Sequence, residues 1–155
     1  MRVSQNSILA IAARHGRIAF VYLKDGEPRD WALSCKGAKS ARNAASMVGS
    51  WIAKYDPDVV VIEDPCTATR KKRKVKSLLN ASIRVADRVP AMVVKGRREQ
   101  LFKNKYEEAV AWVDKYPQLA PKLPVKRRVW EPEPRNIVFF EALALVHQAG
   151  FISSP

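Results

Sequence analysis

Cysteine is scarce in this sequence: two residues, Cys35 and Cys66, with no CxxC pair, and only two histidines. That scarcity excludes a disulfide framework and a structural zinc site, and it fits a reducing, intracellular setting, cytoplasm or nucleoid. Long apolar runs are missing as well. None approaches the roughly 18–20 residues a bilayer span requires, so no membrane partner is expected. Residues 1–6 lack an apolar core and a small-residue cleavage site, which reads as no secretion signal. Acidic residues are few, 15 against 28 Lys and Arg, leaving a formal net charge of +13. The excess points to a polyanionic partner, a class shared by nucleases, repressors, ribosomal proteins and membrane-surface proteins.

What is present is a chain of 155 residues, 47% apolar, enough for one domain over 1–155 with its core at about 7–148. Residues 7–13 and 18–23 are apolar runs separated by Arg14, His15, Gly16 and Arg17, a hairpin pattern, and Asp25-Gly26 marks a turn into a third strand at 31–35. The period then changes. Ala41, Ala44, Ala45, Val48, Trp51, Ile52 and Tyr55 share a helical face, with Ser40 placed to cap it and Pro57 to end it. Residues 59–62 form a continuous β-branched run, suited to a strand covered on both faces, and Glu63 ends it.

Val75, Leu78, Leu79, Ile83 and Ala86 predict a second helix, residues 91–94 a fifth strand, and Tyr106, Ala109, Val110 and Val113 a further helix. A proline-rich connector over 117–134 leads to an apolar helix at 136–148. The order is βββαβαβ followed by α, an α/β fold with a mixed five-stranded sheet flanked by helices.

Two carboxylates occupy apolar company. Glu63 closes an otherwise apolar strand, and Glu141 is the only charge within 137–146. A buried carboxylate without a partner costs several kcal/mol in practice, so each is expected to be paired, protonated or metal-bound. Helical spacing puts Glu141 on the face of Ile137, Phe140, Ala144 and Leu145, toward the sheet. A helix crossing the C-terminal end of the 59–63 strand would bring Glu141 to Glu63, an oxygen-rich site suited to Mg²⁺ or Mn²⁺.

These elements resemble the RuvC-type Holliday junction resolvases of the ribonuclease H-like superfamily, over roughly residues 7–148. In that family the first strand reads approximately Ile-Leu-Gly-Ile-Asp-Pro-Gly, the fourth ends in Glu, and the last helix carries an acidic pair ahead of Ala-Leu-Ala. Glu63 and Glu141 match two of the metal-binding carboxylates, the second as Glu where Asp is usual, and the resemblance assigns them catalytic and metal-ligand roles. Ala12 stands where the family has its first-strand Asp, and Val138 where it has Asp or His. In-line phosphodiester displacement uses two ions about 3.5–4 Å apart, and the first-strand Asp is the residue that would bridge them.

Three accounts of Ala12 stand: natural loss of catalysis, an introduced inactivating substitution, or replacement by another carboxylate. Asp64, Glu131 and Glu133 are the candidate substitutes, and His15 is a candidate for water activation. For Glu131 and Glu133 the plainer reading is that they face the dipole of the last helix, with Pro134 in its first turn.

Arg70, Lys71, Lys72, Arg73, Lys74 and Lys76 crowd ten positions directly after Glu63. A loop so charged gains most by neutralising phosphates and releasing counterions. Arg97, Arg98, Lys103, Lys105, Lys126, Arg127 and Arg128 add to the supply, whereas Trp31, Trp51, Trp112 and Trp130 are expected in the core or an interface. The expectation is a nucleic-acid-binding domain, with branched or duplex DNA as partner and a homodimer implied by the resemblance. As an enzyme it would be a Mg²⁺- or Mn²⁺-dependent junction endonuclease with an altered or inactivated site. The alternatives are a non-catalytic DNA-binding scaffold on the same fold, and a basic RNA-associated protein.

Overall fold

A computed structural model of the chain describes residues 6–99 and 101–155; residues 1–5, which carry the reading on secretion, lie outside them. Strands β1 (Ser7–Arg14), β2 (Arg17–Lys24) and β3 (Glu27–Ser34) form an antiparallel meander. Two-residue turns close both hairpins, and at the second Asp25 and Gly26 both take positive φ, 54° and 79°, the geometry for which Asp-Gly is chosen. β3 begins at Glu27, four residues ahead of the apolar cluster that marked it, because pairing with β2 carries the polar residues after the turn into the ladder.

Helix α1 (Ala41–Tyr55) starts where expected, with the Ser40 hydroxyl accepting from the Asn43 N–H at 3.1 Å. β4 (Val59–Glu63) pairs parallel with β1, α2 (Arg73–Ala86) follows, and β5 (Met92–Gly96) pairs parallel with β4. The sheet order is β3-β2-β1-β4-β5, which puts β1 at its centre and β4 beside it, covered on both edges. Helix α3 (Lys105–Lys115), a 3₁₀ helix (Pro117–Lys122) and helix α4 (Ile137–Gln148) complete the order.

The two faces of the sheet bury separate cores. Leu9, Ile11, Val60 and Ile62 face α1 and α2; Ile8, Ala10, Ala12, Val59 and Val61 face the α3–α4 side. Period-2 alternation therefore turns Glu63 toward α4, on the same face as Ala12. Helix α4 is buried over all ten residues from Ile137 to Val146, as an all-round apolar helix must be. Gly96 admits this helix closely: a Cβ there would meet Leu145 at 3.3 Å.

Two local expectations give way, and one element is added. Val110 is exposed, and the buried face of α3 is Glu108, Ala109 and Trp112. The 117–134 connector is not wholly irregular, since its first third forms the 3₁₀ helix and buries Leu119. Trp31, Trp51 and Trp112 pack in or against the cores, whereas Trp130 is 76% exposed.

Candidate functional site

The carboxylates at the end of β4 and in the middle of α4 meet, and they meet around a lysine. Lys71 Nζ donates to Glu63 Oε1 at 2.5 Å, to a Glu141 oxygen, and to the Ala13 carbonyl at 2.8 Å. The route inward is written in the loop after β4. Asp64 Oδ1 accepts from the Cys66 N–H, its carbonyl accepts from Thr67, and further turns link Pro65 to Ala68 and Ala68 to Lys71. These turns bury Ala68 and fold the chain back over the strand end, which carries Lys71 Nζ to Glu63 and Glu141.

Other cations complete the enclosure. Arg14, at the end of β1, donates to the second Glu141 oxygen and makes a two-pronged contact with Glu133, at 2.6 and 2.9 Å. Glu133 is also held by Arg17 Nη2 at 2.5 Å and by Lys105. Arg98 pairs with Glu108 at 2.8 Å and lies 3.9 Å from Glu141. Four carboxylates and five cations thus form one continuous network, with Glu141 at its centre and completely enclosed.

Burial alone would push the Glu141 carboxyl up, but Lys71, Arg14 and Arg98 together hold it below its ordinary range. For Glu63 burial wins: its carboxyl is raised, Lys71 offsetting the shift only in part and Glu141 adding to it. Glu108 is likewise raised by burial against the pull of Arg98. Glu133 goes the other way, because Arg14, Lys105 and Arg17 overcome its desolvation and hold it well below the carboxylate range.

Each sequence-predicted residue now has a place. Glu63 and Glu141 share the network. Glu133 stands one residue removed from Glu141, through Arg14, and is also paired with Arg17 and Lys105. Pro134 lies ahead of α4, which begins at Ile137, so it is not in the first helical turn. Asp64 spends its side chain on the loop turn, and Glu131 is exposed, near the Arg128 N–H at 3.5 Å. His15 is exposed at the hairpin tip. Arg70, Lys72, Arg73 and Lys74 are exposed, and Lys76 is half-buried on α2.

The sequence reading missed Arg14, Arg17, Arg98, Lys105 and Glu108 as members of the site. One signal was available: Arg14 ends an apolar strand just as Glu63 does.

The donor set does not suit the Mg²⁺ or Mn²⁺ expected here. Hard divalent ions need several oxygen ligands converging on open space. The positions that would supply more carboxylates, Ala12 and Val138, are fully buried members of the apolar core. The Lys71 ammonium already lies between Glu63 and Glu141, and Arg14 takes the remaining Glu141 oxygen. Among the described residues no group of three or more His, Cys, Asp or Glu is placed to hold a metal ion.

Two cavities flank this network. One, of about 630 Å³, is lined by Glu63, Glu141, Lys71, Arg97, Arg98 and Lys105, among others. The second, of about 580 Å³, lies beyond Arg14 and Lys71, between the hairpin tip, the 70–72 loop and the 127–135 segment. Among the described residues no helix is long and apolar enough to cross a membrane.

No family model matches the chain, and no curated protein matches it in sequence. Solved structures do match. RuvC of Thermus thermophilus, in complex with a Holliday junction substrate, aligns with a TM-score of 0.55 at 12% identity, over 96% of this chain and 99% of that one. The fold is the RuvC fold. A further structure of Thermus thermophilus RuvC gives 0.51 at 13% identity over 96% and 99% of the two chains. The yeast mitochondrial Holliday junction resolvase Ydc2 gives 0.58 at 8% identity over 97% of this chain and 81% of its own. The RuvC-like mixed sheet and terminal helix inferred from the sequence are thus present, at identities where only the fold is shared.

Proposed function

We propose that this chain is a nucleic-acid-binding protein on the RuvC fold, one domain, that holds branched or duplex DNA without cutting it. The observation that carries this reading is Lys71: its ammonium lies between the two carboxylates where the resemblance implies divalent ions. A buried carboxylate already satisfied by a built-in cation gains little from a metal, and displacing the lysine would leave that charge to be paired elsewhere. No metal-dependent step is therefore assigned to Glu63 and Glu141.

Binding is supported by the surface. Arg73 and Lys74 occupy the first turn of α2, which contains no acidic residue. Cations at a helix N-terminus oppose its dipole, whereas phosphate oxygens there are favoured by both the dipole and the free N–H groups. Local chemistry set against its own helix is expected where a ligand supplies the compensation. The neighbour bound to a Holliday junction substrate makes four-way DNA the first ligand to test. A homodimer and an intracellular location remain part of this proposal.

A second reading, a junction endonuclease with a rearranged carboxylate set, rests on the meeting of Glu63 and Glu141, with Glu133 joined to Glu141 through Arg14. Incubating the parent chain and Ala12→Asp with a labelled four-way junction, with and without Mg²⁺ or Mn²⁺, separates the two. Metal-independent binding that falls steeply with salt, with no strand cut by the parent, is expected. Metal-dependent cutting by the parent would overturn the non-catalytic reading. Preference for RNA over junction DNA would favour the RNA-associated alternative.

A further inference from the structure

The cavity that Arg14 and Lys71 help to line is also lined by Arg70, Lys72, Arg127 and Arg135, with Glu133 the only carboxylate among the described residues that line it. Glu133 is already shared among Arg14, Arg17 and Lys105. Among the described residues no carboxylate makes an ion pair with Arg70, Lys72, Arg127 or Arg135, so the enclosed space concentrates positive charge that the protein itself leaves uncompensated. A concave site of this kind attracts an anion.

The segment forming its outer wall has a second property. Val125 is 83% exposed, Val129 99% and Trp130 76%, in a stretch that also carries Lys126, Arg127 and Arg128. Trp130 stands in a turn between two cavity-lining residues, Arg127 and Pro132, closed by the Glu131 N–H donating to the Arg128 carbonyl at 3.0 Å. The Arg128 guanidinium lies 5.5 Å from the Trp130 ring centroid. An indole held out in water beside guanidinium groups matches a ligand with both an aromatic face and an anion, and a nucleotide has both.

We infer that the 125–131 segment and the cavity it borders form a second nucleotide-binding element, in which the cavity cations take a backbone phosphate and Trp130 stacks on an unpaired base beside it. The element adjoins the Glu63–Lys71–Glu141 network, sharing a wall of Arg14, Arg17, Lys71 and Glu133 with it, and rests on the nucleic-acid reading above. It adds a substrate class: nucleic acid with unstacked bases, as at a branch point or in a single strand. A paired duplex offers its phosphates but not its base faces.

The test uses the full chain, with tryptophan emission and salt-dependent affinity measured for oligothymidylate, a four-way junction and a blunt duplex. Oligothymidylate is expected to quench the emission. Trp130→Leu, an exposed position whose fold is checked by circular dichroism, should remove most of that quench and weaken single-strand binding about 5- to 100-fold, leaving duplex binding within about twofold. Arg127→Gln should lower the slope of log affinity against log salt by about 0.7 for the single strand.

Unchanged single-strand binding by Trp130→Leu, while the parent still binds the junction or duplex, would overturn this inference and leave the nucleic-acid reading standing. No binding of any nucleic acid by the parent would overturn both. Saturation by inorganic phosphate at matched ionic strength, with no quench by oligothymidylate, would make the cavity a free-anion site and overturn the stacking role. Quenching by anionic phospholipid vesicles but not by oligonucleotide would assign the segment to a membrane surface instead.

Discussion

Two concentrations of charge lie within one cleft system and follow opposite rules. Around Glu141 every carboxylate has a cation, and Glu141, Glu63 and Glu108 are themselves buried. Arg70, Lys72, Arg127 and Arg135 have no acidic partner among the described residues and line an open cavity. A buried, compensated carboxylate cluster acts on the fold, because disturbing it leaves a charge stranded in a low dielectric. An open, uncompensated cation cluster acts on a ligand, because its repulsion is relieved only from outside. Lys71 and Arg70 are neighbours in sequence and fall on either side of this divide.

The sharpest way to break the contrast is to take the cation out of the compensated network. Lys71→Met should cost about 3–5 kcal/mol of stability, read as a lowered urea midpoint, because Glu63 and Glu141 lose their shared partner. An ordinary surface lysine would change stability by no more than about 0.5 kcal/mol. The matching change in the open region, Arg70→Gln with Lys72→Gln, should leave the urea midpoint near the parent's. Affinity for duplex DNA should fall about tenfold, and the salt slope should drop by about 1.8 as two phosphate contacts are lost.

A third variant probes the edge where the regions touch. The Glu133 carboxyl is held below its ordinary value, so the stability it contributes is fully present above the usual carboxylate range and is lost as pH falls through its folded value. Glu133→Gln should therefore flatten the acid limb of the stability profile and lower stability near neutral pH. Glu63 and Glu108, raised by burial, contribute in the opposite sense: their terms are present at low pH and lost as pH rises through their folded values. Removing both opposing terms with Glu63→Gln and Glu108→Gln should steepen the acid limb, and thermal melts across pH measure each case.

The smallest expected effect is that of metal. A ligand that binds only the folded state raises its melting temperature with concentration. Mg²⁺ or Mn²⁺ at millimolar levels should leave the melt of the parent unshifted beyond a matched ionic-strength control. A concentration-dependent rise would show that the ion displaces Lys71 or finds oxygens beside it.

The fold was legible because its cues are local and repeated. The Ser40 cap, the Asp25-Gly26 turn and the β-branched run ending in Glu63 each act within a few residues, and each fixed an element in its place. Glu63 and Glu141 were legible for a related reason: a charge among apolar neighbours stands out wherever it folds. Glu108 was hidden because it sits among other charges in sequence and only the packing of α3 on α4 makes it buried. Trp130 was misplaced for the converse reason. Aromatic character favours burial in general, but nothing in the sequence states that the 125–131 segment would be left without a surface to cover.

The sequence by itself determined the order of strands and helices, the β1–β2–β3 meander, the apolar terminal helix and the two carboxylates in apolar company, because hydrophobic period and turn chemistry are properties of neighbouring residues. Only the tertiary structure decided what those carboxylates do. Whether Glu63 and Glu141 receive a metal or a lysine depends on where one side chain out of a run of like charges comes to rest. That is set by the turns after Asp64 and by the Ala13 carbonyl across the sheet, 58 positions from Lys71 in the chain. Charge pairing depends on separation in space, and a sequence records only separation along the chain.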